Sequence, residues 1–408
     1  MLGKQAKNII LAIGSNLGNK QHNKKLIGQS SLRLNFNGLS FGISNENIWW
    51  GPSIRNSIMM SNHARGFKHF TFNTTKPLKT KIGNFEWQLI SGRLESSGFK
   101  PPNTDFEYAG TKLYVPKINQ LGQTDDWRYI QAYNLTYSPK WISGLSIGFI
   151  RWTQMYSALV RGKYNWMNGR STWFPIFSNL FRKRDKFDDL EAQTNQGAGI
   201  FFRWLWRDSK AEIYAEYHHN DSKFNIRDLL LDSDHSRANT IGIQKGFDIN
   251  NDNFIFSWEW TQMEQTASRL IRNAGSWYQH SWTYDGYTNH GEVLGSSIGP
   301  GSNSHYFSFS RLRNKEKLGI GFEIIDQDND FYYEAFASAQ DFRRYWKDFN
   351  FHFNFSKKIN NFWISSNLMF SRSLNYQWDL DNNAAPYYHP GNDVNNFHLS
   401  IKIAYFIP

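Results

Sequence analysis

Apolar and polar residues alternate one by one along much of this chain. Near the C-terminal end Phe397, Leu399, Ile401, Ile403 and Tyr405 fall on one parity, and His398, Ser400, Lys402 and Ala404 on the other. The same order recurs upstream, with Phe349, Phe351, Phe353 and Phe355 against Asn350, His352, Asn354 and Ser356. It recurs again with Phe254, Phe256, Trp258 and Trp260 against Ser257, Glu259 and Thr261. Ile200, Phe202, Trp204 and Trp206 alternate with Arg203 and Arg207, and Ile213, Ala215 and Tyr217 with Glu212, Glu216 and His218. Leu318, Ile320, Phe322 and Ile324 alternate with Gly319, Gly321 and Glu323. A period of two sends neighbouring side chains to opposite faces of an extended strand. Roughly sixteen such segments are present, each about 8–12 residues long, the length a tilted strand needs to cross a bilayer.

The connections alternate in length as well. Short turns are predicted near Asp208 and Ser209, residues 249–253, Asn314 and Lys315, and residues 357–360. Long connections are predicted near residues 220–237, 265–302, 326–345 and 374–394. Residues 326–345 are read as loop, although 331–337 also pass as a strand. The first hundred residues give no clean parity. A soluble sandwich or propeller also alternates. Here, however, the polar parity repeatedly carries Arg, Glu, Lys and His, while the apolar parity is large and often aromatic. The expected fold is therefore all-β, a transmembrane antiparallel β-barrel of about 16–18 strands, with short periplasmic turns and long extracellular loops.

Composition supports this reading. Aromatic residues make up 17% of the chain while mean hydropathy is only −0.62. No apolar run approaches the ~18 residues of a transmembrane helix, and the aromatic excess excludes disorder. There is no cysteine, which suits an exported protein but also many cytosolic ones. The formal net charge of +11 favours an acidic partner such as nucleic acid, lipopolysaccharide phosphate or an anionic polysaccharide. A barrel facing the exterior argues against nucleic acid. Residues 1–30 are a basic N-terminal segment, and the barrel is assigned to residues 31–408.

Candidate chemistry centres on Glu46, Trp49, Trp50, Gly51 and Pro52, followed by Asn62 and Arg65. Proline ends a strand ladder and glycine permits a tight turn. The paired tryptophans offer stacking faces and N–H donors to a sugar. In the competing reading this segment folds into the lumen as a plug, with its tryptophans as a small core and Glu46 paired to Arg55 or Arg65. A second candidate surface is the 265–302 connection, which carries Trp277, Tyr278, His280, Trp282, Tyr284 and Tyr287. It either exposes these rings to carbohydrate or folds back and buries them. A basic group in the 153–196 connection, including Arg161, Lys163, Arg170 and Arg182, either binds an acidic polymer or is a solvated loop offset by Asp185, Asp188, Asp189 and Glu191. His218, His219 and Asp221 make a poor metal set, because adjacent strand residues point to opposite faces. No metal, no cofactor and no catalytic residue is assigned.

Residues 41–66, which include Glu46-Asn47-Ile48-Trp49-Trp50-Gly51-Pro52 and Ser61-Asn62-His63-Ala64-Arg65, resemble the Wzi family of capsule-assembly outer-membrane proteins. Weaker resemblances lie in Tyr214-Ala215-Glu216-Tyr217, in the glycine-rich 281–301 stretch, and in Ser373-Leu374-Asn375-Tyr376-Gln377-Trp378. The resemblance implies an eighteen-stranded barrel that holds capsular or exopolysaccharide at the surface of the outer membrane as a lectin, without turnover. It also implies a signal peptide and a periplasmic helical region at the N-terminus. The sequence shows neither, which fits a chain whose N-terminal part is missing. Expected partners are the surface polysaccharide, outer-membrane lipid and lipopolysaccharide, with the chain acting as a monomer. The alternative is a diffusion channel or transporter with a charged lumen, and an envelope enzyme ranks third.

Overall fold

The alternating segments pair into one antiparallel sheet of sixteen strands in the computed structural model. It describes residues 8–12, 24–97, 107–108, 111–112, 127–157, 194–220, 226–250, 252–280, 283–337, 340–379 and 392–406. In chain order the strands are β1 (Ser31–Phe36), β2 (Leu39–Ser44), β3 (His69–Thr74), β4 (Leu78–Lys79), β5 (Gly83–Leu94), β6 (Arg128–Pro139), β7 (Leu145–Tyr156) and β8 (Asn195–Trp206). They continue with β9 (Ala211–Asn220), β10 (Arg237–Ile249), β11 (Asp252–Gln262), β12 (Asn303–Arg313), β13 (Glu316–Asp326), β14 (Lys347–Ile359), β15 (Phe362–Leu374) and β16 (Val394–Tyr405). Each strand pairs with its chain neighbour, except that the two-residue β4 sits beside β5 off the main path. Asn8–Ala12 and Lys24–Gly28 form a separate two-stranded pair, and Ser31 opens the large sheet.

The parity of the connections is the expected one. Phe36 to Leu39, Trp206 to Ala211, Ile249 to Asp252, Arg313 to Glu316 and Ile359 to Phe362 are short links at one end. All long links stand at the other end. Two short turns explain themselves by residue type. Asn37 and Gly38 take φ of 46° and 86°, and Asn314 and Lys315 take 44° and 64°. Positive φ at both central positions gives the hairpin turn whose twist matches its strands. Residues 326–345 are indeed a connection, but 331–337 are not a strand: a helix, α2 (Asn329–Phe336), forms there. Its N-cap is Asp328, whose side chain accepts a hydrogen bond from the Phe331 N–H at 3.1 Å, satisfying an otherwise orphaned donor. A shorter helix, α1 (Ile226–Leu231), lies between β9 and β10.

The two faces of the sheet separate as the alternation demands. Ile200, Phe307, Ile320, Phe351, Phe353 and Ile401 stand exposed on the outside, while Glu216, Glu259, Glu323 and His352 are buried on the inside. No helix among the described residues is long and apolar enough to cross a membrane. Toward the long-loop end of β6, β7 and β8 the outward row turns polar, with Gln131 beside Thr153 beside Gln196, and is buried.

Two long connections, residues 45–68 and the described residues of 263–302, pack against the inner face of the sheet, whose edge strands β1 and β16 do not pair with each other among the described residues. Ile48, Trp50, Ile58, Met59, Met60, Tyr278, Tyr287 and Leu294 of these connections form one buried cluster with wall residues Ile90, Ile130, Ile150 and Trp152. The core of this protein is thus a plug inside a barrel, and the sheet curves around it.

Candidate functional site

The plug is fixed by three carboxylates of the wall. Pairing sets Tyr214, Gly242, Glu259, Tyr306 and Glu323 side by side across β9 to β13 as one inward row. Gly242 leaves space for the Tyr214 ring, since a Cβ there would come within 2.1 Å of it. The Tyr214 hydroxyl therefore reaches across and donates to Glu259 at 2.8 Å. Glu259 also accepts the backbone N–H groups of Ile54 and Asn56, each at 2.7 Å, and that of Arg55 at 3.2 Å. Glu216, one step along β9, accepts the Ser53 N–H at 3.0 Å. Glu323 holds the Arg55 guanidinium by two nitrogens, at 2.7 and 3.2 Å. Carboxyl oxygens matched to fixed N–H donors give oriented bonds.

This accounts for the Trp-Trp-Gly-Pro step. Gly51 has φ of 98°, and a Cβ there would lie 2.3 Å from the Glu216 carboxylate. The chain therefore turns against the wall where only glycine fits. Trp50 is buried and donates from its indole nitrogen to Gln88 at 2.8 Å. Trp49 is half-buried, its indole bonded to the Ser53 carbonyl at 3.0 Å.

The two plug segments also hold each other. Ser61 N–H donates to the Leu294 carbonyl at 2.8 Å, Tyr278 hydroxyl to the Ile58 carbonyl at 2.8 Å, and Ser296 hydroxyl to Asn56 at 3.0 Å. The Tyr287 ring stacks on wall Trp152 at 4.0 Å, and the buried Arg128 donates to the carbonyls of Gly286 and Thr288. Burial pushes the Tyr278 and Tyr287 hydroxyls well above the ordinary tyrosine range, so both remain neutral, and that of Tyr278 is the donor to Ile58.

The residues singled out from sequence divide accordingly. Trp50, Trp277, Tyr278 and Tyr287 are core residues of the plug, each under 5% exposed. Glu46 pairs with Arg33, not with Arg55 or Arg65. Arg55 belongs to Glu323, and Arg65 lies 4.0 Å from Glu292. These pairings differ from the sequence expectation because β1 brings Arg33 beside the start of the plug. Asn62 is exposed, Tyr284 is 48% exposed, and Trp49 and Arg65 keep part of their surface. Trp282 and the basic group of the 153–196 connection lie outside the described residues. His218 faces inward onto Glu216 at 2.9 Å, whereas His219 packs edge-on against Tyr217 on the outward face, and no group of three metal-ligating side chains occurs among the described residues. Sequence reasoning placed Glu216, Glu259 and Glu323 on the polar parity without assigning them a role. Each shares its strand with another acidic residue, Glu212, Asp252 and Glu316 respectively, so the alternation gave no signal that singled them out.

A family model for capsule assembly protein Wzi matches residues 7–382. The chain belongs to this family. Among solved structures it is similar to Wzi of Escherichia coli, described as an outer membrane protein involved in group 1 capsule assembly and a carbohydrate-binding β-barrel. That similarity has a TM-score of 0.61 at 13% identity and covers 92% of this chain and 69% of that one. Two variants of the FrpB iron transporter from Neisseria meningitidis, F3-3 and F5-1, align at 9% identity with TM-scores of 0.38 and 0.37. They cover 93% and 92% of this chain and 57% and 58% of theirs. No curated protein matches the chain. As a member of the Wzi family, the protein is an outer-membrane β-barrel of capsule assembly, and the exposed Phe, Ile and Leu band is its membrane surface.

Proposed function

We propose that this Wzi-family barrel binds a surface polysaccharide at its long-loop end and retains it on the cell, with no chemical turnover. The observation that carries the reading is the interior. Residues 51–56 are tied to three wall carboxylates, and 278–296 are tied in turn to 56–61. A barrel filled and locked in this way offers a ligand its outer loop face rather than a path through the wall. The carbohydrate binding described for the Escherichia coli relative supports the same reading.

Within that face the accessible candidates are Trp49, Asn62, Arg65 and Tyr284. Buried Trp50, Trp277, Tyr278 and Tyr287 serve by shaping the plug that presents them, and the ion-paired Glu46 fixes its start. The protein works as a monomer, with its apolar band in lipid and its loop-end basic residues near lipopolysaccharide phosphate.

The test is binding and conductance on one preparation. Purified barrel in detergent should retain the host's purified surface polymer on a size-exclusion column, and should give almost no single-channel current in planar bilayers. A protein that ignores the polymer and conducts ions steadily would be a channel instead.

A further inference from the structure

Outside the plug, a cleft of about 480 Å³ opens between two long connections at the loop end, at the small end of the range for small-molecule sites (about 300–1,000 Å³). One wall is the segment after β11, with a single 3-10 turn at Ala267–Leu270. The other is α2 and the residues that follow it. The walls are fixed to each other. Asp330 accepts the Gln265 N–H and the Ser276 hydroxyl, both at 2.9 Å. Asn329 donates to Glu264 at 3.0 Å across the two walls, and within the first wall the Ala274 N–H donates to the Gln265 side chain at 3.0 Å. Such a cleft is set before any ligand arrives, which lowers the ordering cost of binding.

Its lining combines rings with planar polar groups. Tyr333, Phe336 and the half-exposed Phe342 supply apolar surface, while Asn273, Glu334 and Gln340 are exposed at its rim. Its charge differs from that of the chain as a whole. The Arg269 guanidinium carbon sits over the Tyr333 ring, 3.8 Å from its centre. Arg343 and Arg344 are both held by Asp341, at 2.8 and 3.0 Å. With Asp341 offset by these two arginines, Asp330 and Glu334 stand against Arg269 among the lining residues. Like charge disfavours an anionic ligand at short range, whereas a carboxylate and two amides suit hydroxyl donors and acceptors. Ring faces suit the C–H side of a pyranose.

We infer that this cleft is a saccharide subsite for a neutral sugar unit, with Phe342 as its stacking wall and Glu334, Asn273 and Gln340 as its hydroxyl contacts. The inference rests on the carbohydrate-binding reading and adds the place and the chemical class. A net-basic chain then binds a polymer through neutral residues here, whatever charge the rest of the repeat carries.

The experiment is titration of the purified barrel in detergent with oligosaccharides cut from the host's surface polymer, sorted into neutral and uronate-containing sets. Phe342→Ala should weaken neutral binding about tenfold, a loss of ~1.4 kcal/mol. Phe342→Ala with Asn273→Ala should abolish it. Glu334→Gln should weaken neutral binding several-fold and narrow its margin over uronates. Lys358→Ala, at the short-turn end, is the control. If the wild type binds the polymer and the three cleft variants bind equally well, the cleft is wrong while the carbohydrate reading stands. A wild-type preference for uronate-only fragments overturns the ligand class. Failure of the wild type to bind any fragment overturns both.

Discussion

Arg55 and Glu323, 268 positions apart, meet through two guanidinium nitrogens inside the barrel. Their exposures are unequal: the Arg55 side chain is 35% exposed and that of Glu323 only 1%. The two truncations therefore differ. Arg55→Ala leaves a buried carboxylate with the His352 ring at 3.5 Å beside it and should cost about 3 kcal/mol, at the low end for a broken buried pair. Glu323→Ala leaves an arginine that can turn to water and should cost about 1–2 kcal/mol, near the value of one charged hydrogen bond. Urea titration of the barrel refolded into lipid vesicles measures both. Equal losses would show that Arg55 is not anchored there.

Gly51 should be the least replaceable residue of the plug. Gly51→Ala adds a Cβ at φ of 98° that would sit 2.3 Å from Glu216. Strain and displacement together should cost about 2–3 kcal/mol. The readout is protease sensitivity of residues 45–68 in an otherwise intact barrel, accompanied by a rise in single-channel current. Unchanged protection would mean that Glu216 does not hold the turn.

The outward register is tested by two neighbours on β14. Phe353 is 42% exposed on the outer face, at the middle of a thirteen-residue strand. Phe353→Arg should cost about 2–4 kcal/mol in a bilayer. Asn354→Arg points inward beside Gly319, where there is room, and should cost under about 1 kcal/mol. Equal damage in vesicle folding assays would contradict the assigned faces.

These faces were legible in the sequence because a membrane strand must alternate, and the aromatic parity marks the lipid side without help from tertiary structure. Levels along the strands were not legible. That Glu216, Glu259 and Glu323 converge on one segment depends on pairing register, which the alternation leaves free. β1, β2 and β3 are six residues each, too short for parity to stand out. The plug was one of two readings of the Trp-Trp-Gly-Pro segment. Helix α2 escaped because Phe331, Tyr333 and Ala335 alternate like a strand, and the capping aspartate was the missed sign.

Acid should act on the α2 connection in two opposite ways. Asp328 is pushed up to about 6 by burial, with the charges of Asp330 and Glu334 adding to it. Its folded state holds a proton longer than its unfolded state, so stability falls as pH rises from about 4 to 6. Asp341 is held at about 2, chiefly by its bond to Arg343. Its contribution is full above the ordinary aspartate value near 3.8 and is lost as pH falls toward 2. Hydrogen exchange of Asn329–Phe336, corrected for intrinsic rates, should therefore show greatest protection near pH 4–5. Protection that rises steadily from pH 4 to 7.5 would contradict the burial of Asp328.

The central claim is that a plugged barrel holds polysaccharide on the cell. The most direct measurement is the partition of intact surface polymer between cells and medium, with the gene present, deleted and restored. Deletion should release polymer of normal length into the medium, and restoration should return it to the cell. Polymer that stays cell-bound in normal amount after deletion would contradict the account.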